Sequence, residues 1–88
     1  MFNNVNSIFE ELKNLVGRDI EIIQDGFLKS KYSINKLKYF IENGILNILD
    51  EESENYLKIN LNQIYYIEFL KNTIKLYMDN DTIICLII

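Results

Sequence analysis

From Ile20 to its last residue the chain repeats one pattern: a short run of alternating apolar and polar residues, closed by a polar turn. Successive side chains of a strand point to opposite faces of a sheet, so a period of two marks a half-buried strand. Ile20 and Ile22 alternate with Asp19 and Glu21 and stop at Asp25-Gly26. Leu57, Ile59 and Leu61 alternate with Tyr56, Lys58 and Asn60, and the run breaks phase at LNQI, a tight bend. Tyr65, Ile67 and Phe69 then alternate with Ile64, Tyr66 and Glu68. After Lys71-Asn72, Ile74, Leu76 and Met78 alternate with Thr73, Lys75 and Tyr77, and Asp79 to Asp81 turns the chain into TIICLII. With no proline anywhere to interrupt it, this spacing predicts about seven short strands joined by tight turns, a strongly bent antiparallel sheet or small barrel.

The middle of the chain admits two readings. Leu37, Tyr39 and Ile41 alternate with Lys36, Lys38 and Phe40 before Asn43-Gly44, and Ile45 to Leu49 follow. Asn-Gly between apolar runs is the strongest short hairpin signal, because both central residues of a type I′ turn need positive φ. The rival is a short helix capped at Ser33 and ended by Gly44, with Ile34, Leu37 and Ile41 on one face. The hairpin is the reading adopted.

Ahead of the strands the period is different. Val5, Ile8, Phe9, Leu12, Leu15 and Val16 recur at three- and four-residue steps, which predicts an amphipathic helix over about residues 3–16. Asn3, Asn4 or Asn6 is the candidate N-cap, and Gly17 stands where a left-handed C-cap is wanted. The expected fold is mainly β (α+β): one N-terminal helix, then a small, strongly bent antiparallel β-barrel from about residue 18 to 88, in one domain over residues 1–88.

The residues Leu12, Leu15, Gly17, Ile20, Ile22 and Asp25-Gly26, followed by Ile59, Leu61, Ile64 and Ile67, make up a pattern that resembles the Sm-like small β-barrels, and in second place the PRC-barrel domains. The resemblance covers roughly residues 12–70 and implies a barrel fold. It does not carry over an RNA site: RNA-binding Sm proteins resemble one another in a D-x-x-x-N stretch after the second strand and a late R-G pair, and this chain has neither. Residues 73–88 add a hairpin that the minimal family lacks.

The 88 residues include 49% hydrophobic and 25% charged side chains, a balance that folds, but in a domain whose core is small. A single cysteine, Cys85, rules out an internal disulfide. The net charge of −4 disfavours nonspecific nucleic-acid binding. The start of the chain carries no basic leader or apolar signal core, which predicts a cytoplasmic protein, and no apolar run is long enough to span a membrane. Without histidine the commonest general base and metal ligand is missing, and Cys85 has no partner for a nucleophile pair. The expectation is therefore no enzyme, no cofactor and no metal.

Three surfaces stand out. Asp50, Glu51, Glu52 and Glu54 form the densest acidic stretch, and with Tyr56, Tyr65 and Tyr66 they are the candidate protein-binding residues, since acidic loops can occupy a basic groove and tyrosine is enriched at interface hot spots. The function expected first is a protein–protein binding module, in its sharpest form a phage or mobile-element inhibitor of a host nucleic-acid or defence enzyme. Lys29, Lys31, Lys36 and Lys38, with Tyr39 among them, offer the alternative of single-stranded nucleic acid stacking on aromatic rings. In TIICLII both faces are apolar, and such a strand exposed at a sheet edge is an aggregation hazard. Ile84, Leu86 and Ile88 are thus the candidate interface of a homodimer or small ring, and a purely structural oligomer is the third reading.

Overall fold

The computed structural model describes residues 5–88. One helix, α1 (Val5–Leu15), precedes eight strands: β1 (Ile20–Asp25), β2 (Lys29–Ile34), β3 (Leu37–Glu42), β4 (Ile45–Asp50), β5 (Tyr56–Asn60), β6 (Ile64–Phe69), β7 (Thr73–Met78) and β8 (Ile83–Ile87), with a 3-10 turn at Leu61–Gln63 between β5 and β6. The strands form a five-stranded sheet, in the order β2-β1-β8-β7-β6, and a three-stranded sheet, β3-β4-β5. Every pairing is antiparallel. The protein is mostly β with one short helix; its two sheets are hydrogen-bonded separately and neither closes on itself, so the expected closed barrel is not what these ladders form.

The strand missing from the sequence reading is β2. An edge strand has one flank in water, and here only Ile34 is buried and Tyr32 half-buried, so the alternation that betrays a strand is absent. The Asn-Gly hairpin is present: Asn43 and Gly44 have φ of 55° and 77°, and Glu42 lies opposite Ile45 across the turn. Residues 33–44 are therefore not helical. Between β2 and β3 the chain crosses from one sheet to the other at Lys36, whose φ of 54° supplies the left-handed step. The bend expected at LNQI is the 3-10 turn, where Asn60 Oδ1 accepts from the Asn62 N–H at 3.0 Å and the chain returns to the first sheet.

Ile22, Leu86 and Ile74 lie side by side across β1, β8 and β7, and all are buried. Ile84, Leu76 and Ile67 make the adjacent row, while Leu46, Ile48 and Ile59 face inward from the smaller sheet. Helix α1 adds Ile8, Leu12 and Leu15 to the same core. Fully burying each such side chain stabilises the fold by about 1.5–3 kcal/mol before chain entropy is set against it. Val16, expected on the apolar stripe, is exposed, because the helix has already ended at Leu15. Gly17 takes a φ of 85°, as a C-terminal glycine should, but its N–H turns to the carbonyl of Leu37 at 2.8 Å and fastens the helix end to β3. Of the N-cap candidates, Asn3 and Asn4 lie outside the described residues and Asn6 falls within α1.

The tail overturns its own argument for oligomerisation. β8 is the central strand of the larger sheet, paired with β1 on one side and β7 on the other, rather than an exposed edge. Ile84 and Leu86 are 3% and 0% exposed in the chain's own core, so neither lies at a surface a second subunit can reach. Ile88 is exposed just beyond the strand. Ile83, Cys85 and Ile87, on the other face, are half-buried between flanking strands. No helix among the described residues is long and apolar enough to cross a membrane.

Candidate functional site

The acidic stretch divides by role. Asp50, which ends β4, is only 6% exposed. Its Oδ2 accepts from the Asn35 N–H at 2.9 Å and its Oδ1 from the Glu52 N–H at 2.6 Å. The bond from Asn35, seconded by that from Glu52, holds its carboxyl below the usual aspartate range against the opposing pull of burial. Around it, the Glu51 N–H donates to the Asn35 carbonyl at 3.1 Å and Asn55 Nδ2 to the Ser33 carbonyl at 3.1 Å. Asp50 is thus a staple between the β4–β5 loop and the β2–β3 bend. It does not belong to a binding surface, and this corrects its inclusion among the partner-binding residues.

Glu51 and Glu52 meet the lysines from which the sequence separated them. Lys36 Nζ lies 3.2 Å from Glu52 and Lys38 Nζ 3.7 Å from Glu51. All four side chains are about half exposed, so each pair contributes at most about 1 kcal/mol. Their effect on surface charge is larger than their effect on stability. At the sheet corner Lys36, Lys38, Glu51 and Glu52 thus form one nearly neutral cluster. Lys29 and Lys31 remain in solvent on β2, Glu54 is exposed, and Tyr39 is half-buried against the core. The candidate residues are thus divided between the sheets, Lys29 and Lys31 on β2 and Lys38 and Tyr39 on β3.

The tyrosines do converge, though not all of them. Tyr65 and Tyr66 on β6 are 52% and 48% exposed, and their ring centres lie 6.4 and 5.4 Å from that of Tyr77 on β7. The hydroxyl of Tyr77 donates to Glu68 Oε1 at 2.8 Å, and that bond, with burial, raises its pKa. The register between β6 and β7 slips by a residue between Ile64 and Tyr66, a β-bulge. The extra residue is what buries Ile64 and Ile67 alike while exposing Tyr65 and Tyr66. Phe69 and Leu70 extend the exposed apolar surface to the hairpin end. The sequence reading missed Phe69, Leu70 and Tyr77, although Y-Y-x-x-F-L is legible as a run too apolar for a wet edge. Tyr56 stands apart, beside Gln24, Tyr32 and Glu54 in an open cleft of about 390 Å³.

β6 is an edge: its main-chain ladder is with β7 alone. Leu70 and Thr73 exchange both backbone hydrogen bonds, at 2.8 and 3.5 Å, across the turn. In an antiparallel ladder such pairs alternate with non-bonded ones, so Glu68 also aims its main-chain groups at β7, while Phe69 and Ile67 aim theirs away. Among the described residues, no group of His, Cys, Asp and Glu is arranged to hold a metal ion. What fold and surface define is a small two-sheet β domain with one aromatic edge. No protein-family model matches the chain, and no curated protein or solved structure is significantly similar to it.

Proposed function

We propose that this protein is a non-catalytic protein-binding module that receives an extended segment of its partner along β6. The observation that carries the reading is the edge itself: outward-facing main-chain groups at Ile67 and Phe69 beside Tyr65, Tyr66, Phe69 and Leu70. An added strand obtains affinity from main-chain hydrogen bonds and specificity from the side chains beside them. Exposed tyrosines supply large contact area at small entropic cost. The acidic loop is the weaker candidate, since Glu51 and Glu52 already face lysines and Asp50 is committed inside the fold. Kinship with the Sm-like barrels belongs to the same proposal, supported by the helix before β1, the bent β2–β3 passage and the 3-10 turn before β6.

The test is capture of partners from the source cell, with nuclease present. Tyr65→Lys with Phe69→Lys should abolish capture while the far-ultraviolet spectrum stays that of the wild type. Loss instead in a Glu51→Lys, Glu52→Lys, Glu54→Lys variant, with the edge variant binding normally, would transfer the function to the acidic loop and the inhibitor reading attached to it.

A further inference from the structure

The geometry points to a second copy of this chain as an occupant of β6, joined edge to edge about a twofold axis at Ile67. This inference rests on the reading of β6 as a binding edge and names its partner. The outward main-chain groups of Ile67 let it form a hydrogen-bonded pair with its own symmetry mate, as a closed isologous contact requires. The same register brings Phe69 of each copy to the bulge at Tyr65 of the other, with Phe69 on the face of Ile67 and Tyr65 on the face of Tyr77. It also sets Tyr66 across from Glu68 in a non-bonded pair, where side chains approach most closely. Glu68 accepts from Tyr77 through Oε1, and its other oxygen retains capacity for a second donor.

The neighbouring register is worse for a stated reason. An axis through Glu68 would set two carboxylates directly opposite each other, and like charges at that position are destabilising. The other edge cannot substitute, because β2 presents Lys29 and Lys31, which would face the like charges of a twin. Joining two copies of the five-stranded sheet gives one of about ten strands, near the largest open twisted sheet commonly seen. A sheet ending at this size has its remaining edges at the two lysine-bearing strands, so the assembly stops at two copies.

Sedimentation over roughly 1–100 µM reads the result, a range chosen to bracket micromolar affinity. The expected mass is twice the 10.5 kDa of the chain. Phe69→Lys should raise the dissociation constant by about tenfold or more, since it sets a charge in the edge. The register is read separately in a Cys85→Ser background. A mixture of Tyr66→Cys and Glu68→Cys chains should form a crossed disulfide, and Glu68→Cys chains alone should not. A 10.5 kDa mass at every concentration would overturn the proposal, as would a dimer indifferent to Phe69→Lys or a disulfide from Glu68→Cys alone. If the chain is monomeric yet the Tyr65, Phe69 variant loses captured partners, this inference falls and the binding edge stands. If neither property responds to the edge substitutions, the binding edge falls as well.

Discussion

The two edges of the larger sheet have the same backbone and opposite side chains. β2 ends the sheet with Lys29, Ser30, Lys31 and Ser33 in solvent, whereas β6 ends it with Tyr65, Tyr66 and Phe69. Lysines on an edge strand make pairing with another strand costly, because a partner strand must desolvate or repel them. The contrast extends into the corners. β2 runs into a bend held by Asp50, Asn55 and a bond from the Lys36 N–H to Asp19 at 3.0 Å. β6 is entered from a short 3-10 turn held by Asn60 and by the Asp79 N–H on the Gln63 carbonyl at 2.8 Å. One side of the molecule is closed by charge and stapled; the other is left adhesive. The difference is the ground for the proposed role of β6: of the two edges of the larger sheet, only β2 carries lysines along the strand.

The largest effect should come from the strand on which both edges depend. Leu86 is fully buried at the centre of the sheet, two strands from either edge. Leu86→Ala should cost about 2–5 kcal/mol in chemical denaturation, by lost transfer energy and by the cavity left behind. Amide exchange should rise in β1 and β7 together. A loss under about 1 kcal/mol, or exchange confined to one side, would mean that the edges do not share one core.

Some of this was legible beforehand and some was not, for physical reasons. Period two and the Asn-Gly pair are local, so most strands and the β3–β4 hairpin could be read directly. Strand order is not local: nothing in TIICLII says that β1 pairs beside it, and its apolar faces fit a central strand as well as an oligomer edge. The role of Asp50 depends on Asn35, fifteen residues away, and the ion pairs of Lys36 and Lys38 depend on a bend that only the left-handed Lys36 makes. The bulge at Tyr65 shifts the phase by one residue and cannot be seen in alternation that looks regular. Of the candidate site, Tyr65 and Tyr66 were found by residue type; their setting was found only in three dimensions.

The next effect tests the stapled corner. Asp50 has a folded pKa below its unfolded value, so the stability it contributes is present above the ordinary aspartate pKa of about 3.9 and is lost as pH falls through the lower folded value. Asp50→Asn keeps the shape and one oxygen acceptor but removes the charge, leaving the Asn35 and Glu52 N–H groups competing for that single oxygen. The urea midpoint should fall at neutral pH, and the wild type should converge on the variant as pH is lowered through the acid range. Parallel curves at every pH would show that the charge of Asp50 is not what holds the corner.

The smallest effect on stability carries the most information about the edges. Lys29 and Lys31 are exposed and lie on a strand whose side chains are mostly in water. Replacing both by threonine, a better strand former, should leave the unfolding free energy within about 0.5 kcal/mol of the wild type. Association should nevertheless change, because the substitution removes the charge that keeps β2 from pairing. Light scattering should then show species larger than those of the wild type, growing with concentration. Adding Phe69→Lys to the same protein should leave association through β2 alone, since the charge has moved from one edge to the other. Threonine at both positions with no new association would mean that the Asp50 corner, by twisting β2 away from a flat template, protects that edge without help from lysine.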